Sequence, residues 1–154
     1  MSMPIFTRCG LTITRMNLEG AGYISSYVKK KLVNLNIDKS LIRRVVVATY
    51  EAEINVTIHS FGGECDFTIY NDHIYVVFKD TGPGIEDIDQ AMVAGYSTAS
   101  KDAISYGFGA GMGLLNIKNA CDEFKITSSK EGTIVEIIIY WKDRKEKDDE
   151  DDID

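Results

Sequence analysis

The sequence lacks the features of a membrane-spanning protein or of a disulfide-rich secreted protein. No apolar run in its 154 residues approaches the roughly 20 residues that span a bilayer. Residues 1–10 contain neither the apolar core nor the cleavage pattern of a signal peptide. The three cysteines, Cys9, Cys65 and Cys121, form no CxxC pair and have no metal-ligand spacing. We therefore expect reduced thiols and a cytoplasmic protein.

Clustered positive charge is also missing. The net charge is −7 and no stretch forms a basic stripe, whereas nucleic-acid binding depends on clustered Lys and Arg at the phosphates. Nucleic acid is therefore not expected as a partner. Residues 142–154 hold eight acidic and four basic side chains without apolar anchors, and they are predicted to form a disordered acidic tail. A solubilising role for this tail is favoured over a docking arm for a basic partner.

The remaining residues, 1–141, have the length and composition of one soluble globular domain. The chain is 44% hydrophobic and 27% charged, which is ordinary for such proteins, and a domain of this size can bury a sizeable core without disulfides. No internal repeat and no Pro/Gly/Ser linker divides it.

Hydrophobic periodicity and turn residues predict the order strand, helix, helix, two strands, glycine-rich segment, helix, two strands. This order favours an α+β two-layer sandwich, in which a mixed β-sheet carries the helices on one face. Asp38 is a good N-cap for the second helix, Asn71-Asp72 favours a tight hairpin turn, and the last two strands are predicted to form a hairpin that turns at residues 130–132. Strands are predicted over 11–15, 65–70, 73–79, 124–128 and 133–141; helices over 19–35, 38–62 and 114–121; and a connection with a short helix over 85–106.

Three segments are candidates for chemistry. The first is the pair Glu51 and Asn55, which lie four residues apart and so share one face of the second helix, whereas Glu53 points elsewhere. An amide oxygen can ligate Mg²⁺, and a neighbouring carboxylate can orient or deprotonate a nucleophile. Taken alone, the pair is more typical of an ordinary polar stripe on a helix.

The second segment is Asp80-Thr81-Gly82-Pro83-Gly84, which follows a hydrophobic strand. An aspartate at a strand end can accept a hydrogen bond from the amino group of adenine, and Gly82 and Gly84 would let the backbone approach a flat base. A simple strand-ending turn has the same composition and explains the segment equally well.

The third segment is residues 107–113, in which four glycines recur at every second position directly before a helix. Glycine-rich loops before a helix present N–H groups and the positive end of the helix dipole to phosphates. No Gly-Lys-Ser/Thr follows, so this is not a Walker A loop, and no βαβ unit frames it as a dinucleotide fingerprint.

Taken together and in this order, the three segments resemble the N, G1 and G2 boxes of the GHKL ATPase superfamily (gyrase, Hsp90, histidine kinase, MutL). The resemblance covers roughly residues 10–141 and implies a Bergerat-type ATP-binding fold with ATP and Mg²⁺ bound. Carried over, it makes Glu51 the catalytic base and Asn55 the Mg²⁺ ligand. The nucleotide site it implies consists of Asn55, Asp80, Gly82, Gly84, Gly109, Gly111, Gly113 and Thr133, with Asp80 and Thr133 at adenine and the last three glycines at the phosphates.

Within the superfamily, residues 80–85, 95–99 and 111–124 look most like the anti-sigma-factor serine/threonine kinases, and in particular the switch kinases of bacterial stress-response pathways. This resemblance implies phosphorylation of a partner regulator, either an anti-sigma antagonist or a sigma factor, and a homodimer is a further expectation. The alternative is an ATP-gated switch that sequesters a regulator with little or no catalysis. Residues 100–108 look like an insertion relative to the compact kinases, which leaves the choice of partner open.

Overall fold

A computed structural model describes residues 2–93 and 113–141. Two helices lie between the first and second strands, and two of the described helices lie between the third and fourth strands. The elements are β1 Pro4–Ile13, α1 Tyr23–Asn34, α2 Lys39–His59, β2 Gly63–Tyr70, β3 His73–Asp80, α3 Ile88–Ala91, α4 Gly113–Ala120, β4 Glu123–Ser129 and β5 Gly132–Tyr140.

The five strands form one sheet in the order β1-β2-β3-β5-β4. The helices cover one face of this sheet, whose side chains are buried: Leu11, Ile13, Cys65, Phe67, Ile69, Ile74, Val76, Phe78, Val135, Ile137 and Ile139. The opposite face carries partly or fully exposed polar side chains: Asp66, Thr68, Tyr75, Lys79, Lys125, Thr127 and Glu136. The predicted α+β two-layer sandwich with helices on one face is confirmed.

The prediction of a mixed sheet is corrected, because every pairing among the described strands is antiparallel. The crossover from β3 through α4 to β4 would give a parallel pair if β4 lay beside β3. Instead, β5 takes that place, pairing Val76 with Ile137, and β4 forms the outer edge. Because the β4–β5 hairpin reverses direction, β5 runs antiparallel to β3.

Strand β1 is longer than predicted and begins seven residues earlier, at Pro4 rather than Leu11. Its first seven residues are mostly exposed, so their side chains do not show the alternation from which a strand is predicted. They nevertheless pair with β2, with a register shift between Arg8 and Leu11, next to Gly10 in the left-handed region. Backbone pairing at a sheet edge therefore extends the strand beyond its hydrophobic part.

Both ends of the described chain meet at the turn between β2 and β3. The Met3 N–H donates to Asn71 Oδ1 at 2.9 Å, and the Asn71 N–H donates back to the Met3 carbonyl at 3.0 Å. Beside this pair, the Trp141 N–H donates to the Asp72 carbonyl at 2.9 Å, and its indole N–H donates to the Asn71 carbonyl at 2.8 Å. The predicted Asn71-Asp72 turn is thus the point that holds β1 and the end of β5 together.

Helix α1 is capped by a side chain of α2. Gly22, at its N-cap position, is left-handed and can supply no side-chain bond. Instead, Glu53 accepts the Gly22 N–H at 2.8 Å and the Ile24 N–H at 2.9 Å through its two carboxylate oxygens. Glu53 is only 3% exposed. Burial raises the pKa of Glu53, and the backbone N–H groups oppose that rise. The carboxylate thereby docks α1 onto α2 at the positive end of the α1 dipole.

No helix in the described ranges, 2–93 and 113–141, is long and apolar enough to cross a membrane.

We predict that Glu53→Gln destabilises the fold. Both oxygens of Glu53 accept backbone N–H groups, so the amide NH₂ of glutamine must face one of those donors and leave it without a bond. The free energy of unfolding should fall by about 1–3 kcal/mol, measured by urea denaturation. Glu86→Gln, at an exposed position, is the matched control and should stay within about 0.5 kcal/mol of wild type. Equal stability of the two variants would contradict the capping role.

Candidate functional site

Asp80 and Thr133 come together at one end of the candidate site. Asp80 is the last residue of β3, and its Oδ1 accepts the Thr133 N–H at 2.9 Å, at the start of the neighbouring strand β5. Burial raises the pKa of Asp80, and the Thr133 N–H opposes the rise. Among the described residues, no donor binds the second oxygen, Oδ2. The carboxylate is therefore held by one oxygen and can accept a hydrogen bond with the other.

The backbone passes close to Asp80 because glycines leave room for it. Gly132 has a φ of +150°, and a Cβ at this position would lie 2.0 Å from the Asp80 carbonyl oxygen. Gly84 has a φ of +75°, and a Cβ there would lie 2.0 Å from the carbonyl oxygen of Ser129. Gly82 is tightly packed as well, with its Cβ position 3.2 Å from Ser60 Cα. Protein packing therefore requires these glycines, apart from any ligand.

Ser128 is a site residue that the sequence motifs did not single out. Its hydroxyl accepts the Ile85 N–H at 2.7 Å and lies 2.8 Å from the hydroxyl of Thr133, which is buried. It thus joins the 80–85 loop to the β4–β5 hairpin. The predicted turn over 130–132 places Ser128 opposite Thr133, and this hairpin register is the signal that could have identified it.

Glu51, Asn55 and Gly113 form the other end of the candidate site. A Cβ on Gly113 would lie 3.1 Å from Asn55 Oδ1, 3.3 Å from Asn55 Nδ2 and 3.4 Å from Glu51 Oε2. The first residue of α4 therefore sits directly against both polar side chains of α2, as the shared helix face predicts. A side chain larger than hydrogen at Gly113 would crowd both groups.

Asn55 has an unusual environment. Its amide Nδ2 is buried and has no hydrogen-bond partner among the residues that the structure describes. A buried donor without a partner is costly, by about 1–3 kcal/mol, so such a group is typical of a position that meets a ligand. Its oxygen, Oδ1, lies at the same place beside Gly113.

Asn116 is a second residue that the motifs missed. It lies one turn after Gly113 on α4, and its Nδ2 donates to Glu51 Oε1 at 3.3 Å. Its spacing of three from Gly113 puts it on the same side of the helix, which is the signal that sequence reasoning could have used.

Helix α2 links the two ends. Glu51 and Asn55 lie in its C-terminal half, and Ser60 directly follows its last residue, His59. There the Phe61 N–H donates to the Thr81 carbonyl at 2.7 Å, and the Thr81 N–H donates to the Gly62 carbonyl at 3.0 Å. The segment after Asp80 is therefore tied by its backbone to the end of the helix that carries Glu51 and Asn55.

Within the described residues, no three His, Cys, Asp or Glu side chains come together as a metal site. The amide oxygen of Asn55 and the neighbouring carboxylate of Glu51 are oxygen donors of the kind that Mg²⁺ accepts. The predicted phosphate contacts Gly109 and Gly111, the insertion over 100–108 and the acidic tail over 142–154 lie outside the described residues.

Comparison with known proteins agrees with this geometry. The chain is 27% identical over 139 residues to the serine/threonine-protein kinase RsbT of Bacillus subtilis (strain 168), a match that covers 87% of this chain and 96% of that protein. Residues 36–143, which include α2, both glycine segments and the β4–β5 hairpin, match a family of ATPases. The chain belongs to the histidine kinase-, DNA gyrase B- and HSP90-like ATPase family.

Proposed function

We propose that this protein binds Mg²⁺-ATP and transfers the γ-phosphoryl group to a serine or threonine of a regulatory partner protein. The observation that carries the proposal is the position of Glu51 and Asn55 against Gly113, with the Asn55 Nδ2, which has no partner among the described residues, at the same point. Family membership supports ATP binding, and the Bacillus subtilis relative, which is a serine/threonine-protein kinase, supports kinase activity. The phosphoacceptor would be an anti-sigma antagonist or a sigma factor, and a cytoplasmic homodimer is part of the same proposal.

At the adenine end, Asp80 is the group that would distinguish adenine from guanine. Its Oδ1 is occupied by the Thr133 N–H, so Oδ2 would accept the amino hydrogen of adenine. Guanine carries an oxygen at that position and would place an acceptor against an acceptor. Ser128 supports this arrangement because it holds the 80–85 loop and Thr133 together.

At the phosphate end, the residues fit a magnesium ion with few protein ligands. Asn55 would hold the ion through its amide oxygen, which lies beside Gly113, where a Cβ would crowd both Asn55 and Glu51. The bound ion would neutralise charge that develops on the transferred phosphoryl group.

Glu51 would serve as the general base. Its Oε2 would take the proton from the acceptor hydroxyl, whose oxygen forms the new bond to the γ-phosphorus. The bond from the γ-phosphorus to the bridging oxygen breaks, and its electron pair stays with ADP. Most of the rate enhancement in such a transfer comes from positioning and charge stabilisation. The placement of Glu51 and Asn55 beside Gly113 would therefore contribute to the rate as much as proton removal by Glu51.

We predict that Mg²⁺-ATP stabilises the wild-type protein by about 2.7 kcal/mol at 100 times its Kd, measured by thermal denaturation. Asp80→Asn should weaken ATP binding because it replaces the acceptor oxygen with an amide that can turn its NH₂ toward adenine. Asp89→Asn, at an exposed position on α3, is the control and should bind as wild type does. GTP should give a smaller stabilisation. Equal stabilisation of wild type and Asp80→Asn by Mg²⁺-ATP would contradict the assignment of Asp80 to adenine binding.

We also predict that ATP binding weakens on acidification in an Asp80-dependent way. Because burial raises the pKa of Asp80, the carboxyl takes up a proton at a higher pH than an ordinary aspartate, and it then presents less negative charge to adenine. The Kd for Mg²⁺-ATP should rise as the pH is lowered from 7 through that range. The Kd is measured by calorimetry on wild type and Asp80→Asn in parallel, because protonation of ATP itself affects both proteins equally and cancels in the comparison. Identical pH curves for the two proteins would contradict this prediction.

We predict that Glu51→Gln lowers phosphoryl transfer by about 10²- to 10⁴-fold, the usual contribution of a general base, with the Kd for ATP unchanged. The measurement is transfer of label from γ-labelled ATP to candidate anti-sigma antagonists. Glu64→Gln, at an exposed position on β2, is the control. Transfer by Glu51→Gln at the wild-type rate would remove Glu51 from the mechanism. Nucleotide-dependent capture of a partner without any phosphoprotein would instead favour the ATP-gated switch.

A further inference from the structure

Asn116 donates a hydrogen bond to only one of the two carboxylate oxygens of Glu51. Its Nδ2 contacts Oε1 of Glu51 at 3.3 Å, while the other oxygen, Oε2, lies toward Gly113. The two carboxylate oxygens therefore have different surroundings. One accepts a hydrogen bond from a neutral amide of α4, and the other lies beside Gly113, the first described residue of that helix.

Packing between α2 and α4 does not need this contact. Ile117 is fully buried in the core, and it anchors the middle of α4. The far end is anchored by Arg44, which donates to the Ala120 carbonyl at 3.0 Å and to Asp122 at 2.8 Å. Asn116 directly precedes Ile117 and is only partly buried, so these two anchors hold α4 without it.

The choice of an amide at this position also has an electrostatic meaning. A lysine or arginine would form an ion pair with Glu51 and reduce its ability to take a proton. An aspartate would repel the carboxylate and compete for the proton. The asparagine amide donates a hydrogen bond without carrying charge and without titrating, so it can restrict the carboxylate while leaving Oε2 available.

We propose that Asn116 is a positioning residue that holds the Glu51 carboxylate with Oε2 directed at the start of α4. The inference rests on the proposed function, because it assigns the group that orients the proposed general base. Asn116 acts through Glu51 and is assigned no contact with ATP.

The test compares Asn116→Leu, which removes the donor at similar volume, with Asn116→Asp, which keeps the shape and adds a second carboxylate. Asn119→Leu, at an exposed position on the same helix, is the matched control. Each full-length protein is given Mg²⁺-ATP, and ADP formation with water as acceptor is followed across pH, with the Kd for ATP measured separately.

For Asn116→Leu we expect the rate at saturating ATP to fall about 10- to 100-fold, the loss of one hydrogen bond to a charged group, with the Kd for ATP unchanged. For Asn116→Asp we expect the acid limb of the rate–pH profile to move to higher pH, because a second carboxylate disfavours ionised Glu51. If Asn116 had a purely structural role, its substitution would leave the pH profile unchanged, and any loss of rate would be accompanied by a lower melting temperature.

A direct readout of the contact accompanies the kinetics. In the wild-type protein, the side-chain amide protons of Asn116 should exchange slowly by NMR, and Glu51→Ala should remove that protection. Wild-type rates and profiles in both Asn116 variants, or no change of amide exchange in Glu51→Ala, would overturn the positioning role while leaving the proposed function standing. Absence of both ADP formation and label transfer to candidate partners by the wild-type protein would overturn the proposed general base and this inference with it; if only transfer is seen, the same variants are compared by transfer.

Discussion

Helix α2 packs its apolar face against the sheet, and the geometry of the candidate site depends on this contact. Val45, Ala48, Ala52 and Val56 lie in the core and are at most 3% exposed. Small side chains at Ala48 and Ala52 let the helix axis lie close to the strands. The face that remains free of the sheet carries Glu51 and Asn55, and the end of the helix reaches the segment after Asp80. Packing of apolar residues thus determines where polar groups stand.

Two glutamates of α2, two residues apart, illustrate how that packing separates roles. Glu53 points toward α1, where two backbone N–H groups bind it in a buried position. Glu51 points toward α4, where the Asn116 amide binds one oxygen and no donor among the described residues binds the other. The Glu53 carboxylate, in contrast, is buried and accepts a backbone N–H on each oxygen, so it is not accessible to a substrate proton. Because the two residues lie on different faces of the helix, Glu53 has a structural role and Glu51 is the proposed general base.

Much of the fold followed from the sequence because local signals and tertiary packing agree there. Asp38 caps α2 through the Ser40 N–H as predicted, and the two hairpins turn at the expected residues. Asp80 and Thr133 meet because the β3–β5 pairing brings the end of one strand to the start of the other. The first half of β1 did not follow, since an exposed edge strand has no hydrophobic alternation. The direction of β5 did not follow either, because it depends on which strand occupies the place beside β3.

The residues that sequence reasoning missed in the site share one property. Ser128 and Asn116 each act through one or two hydrogen bonds to a distant element, as the structural acid Glu53 does outside the site. Such contacts leave no periodic trace in a sequence, whereas glycine spacing and strand-ending aspartates do. The roles of Glu51, Asn55, Asp80, Gly82, Gly84 and Gly113 stay predictions, while the placement of these described residues is a property of the fold.

The turn at Asn71-Asp72 has a practical consequence for handling the protein. It holds Met3 and Trp141 at the end of the sheet where β3 begins, whereas Asp80 ends the same strand. Seven residue steps of about 3.4 Å separate the two ends by roughly 24 Å. A surface tether or fluorescent label joined near either Met3 or Trp141 would therefore attach at the end of the sheet that is remote from Asp80. Immobilised protein prepared in this way should present its candidate site to solution whichever of these two positions carries the tether.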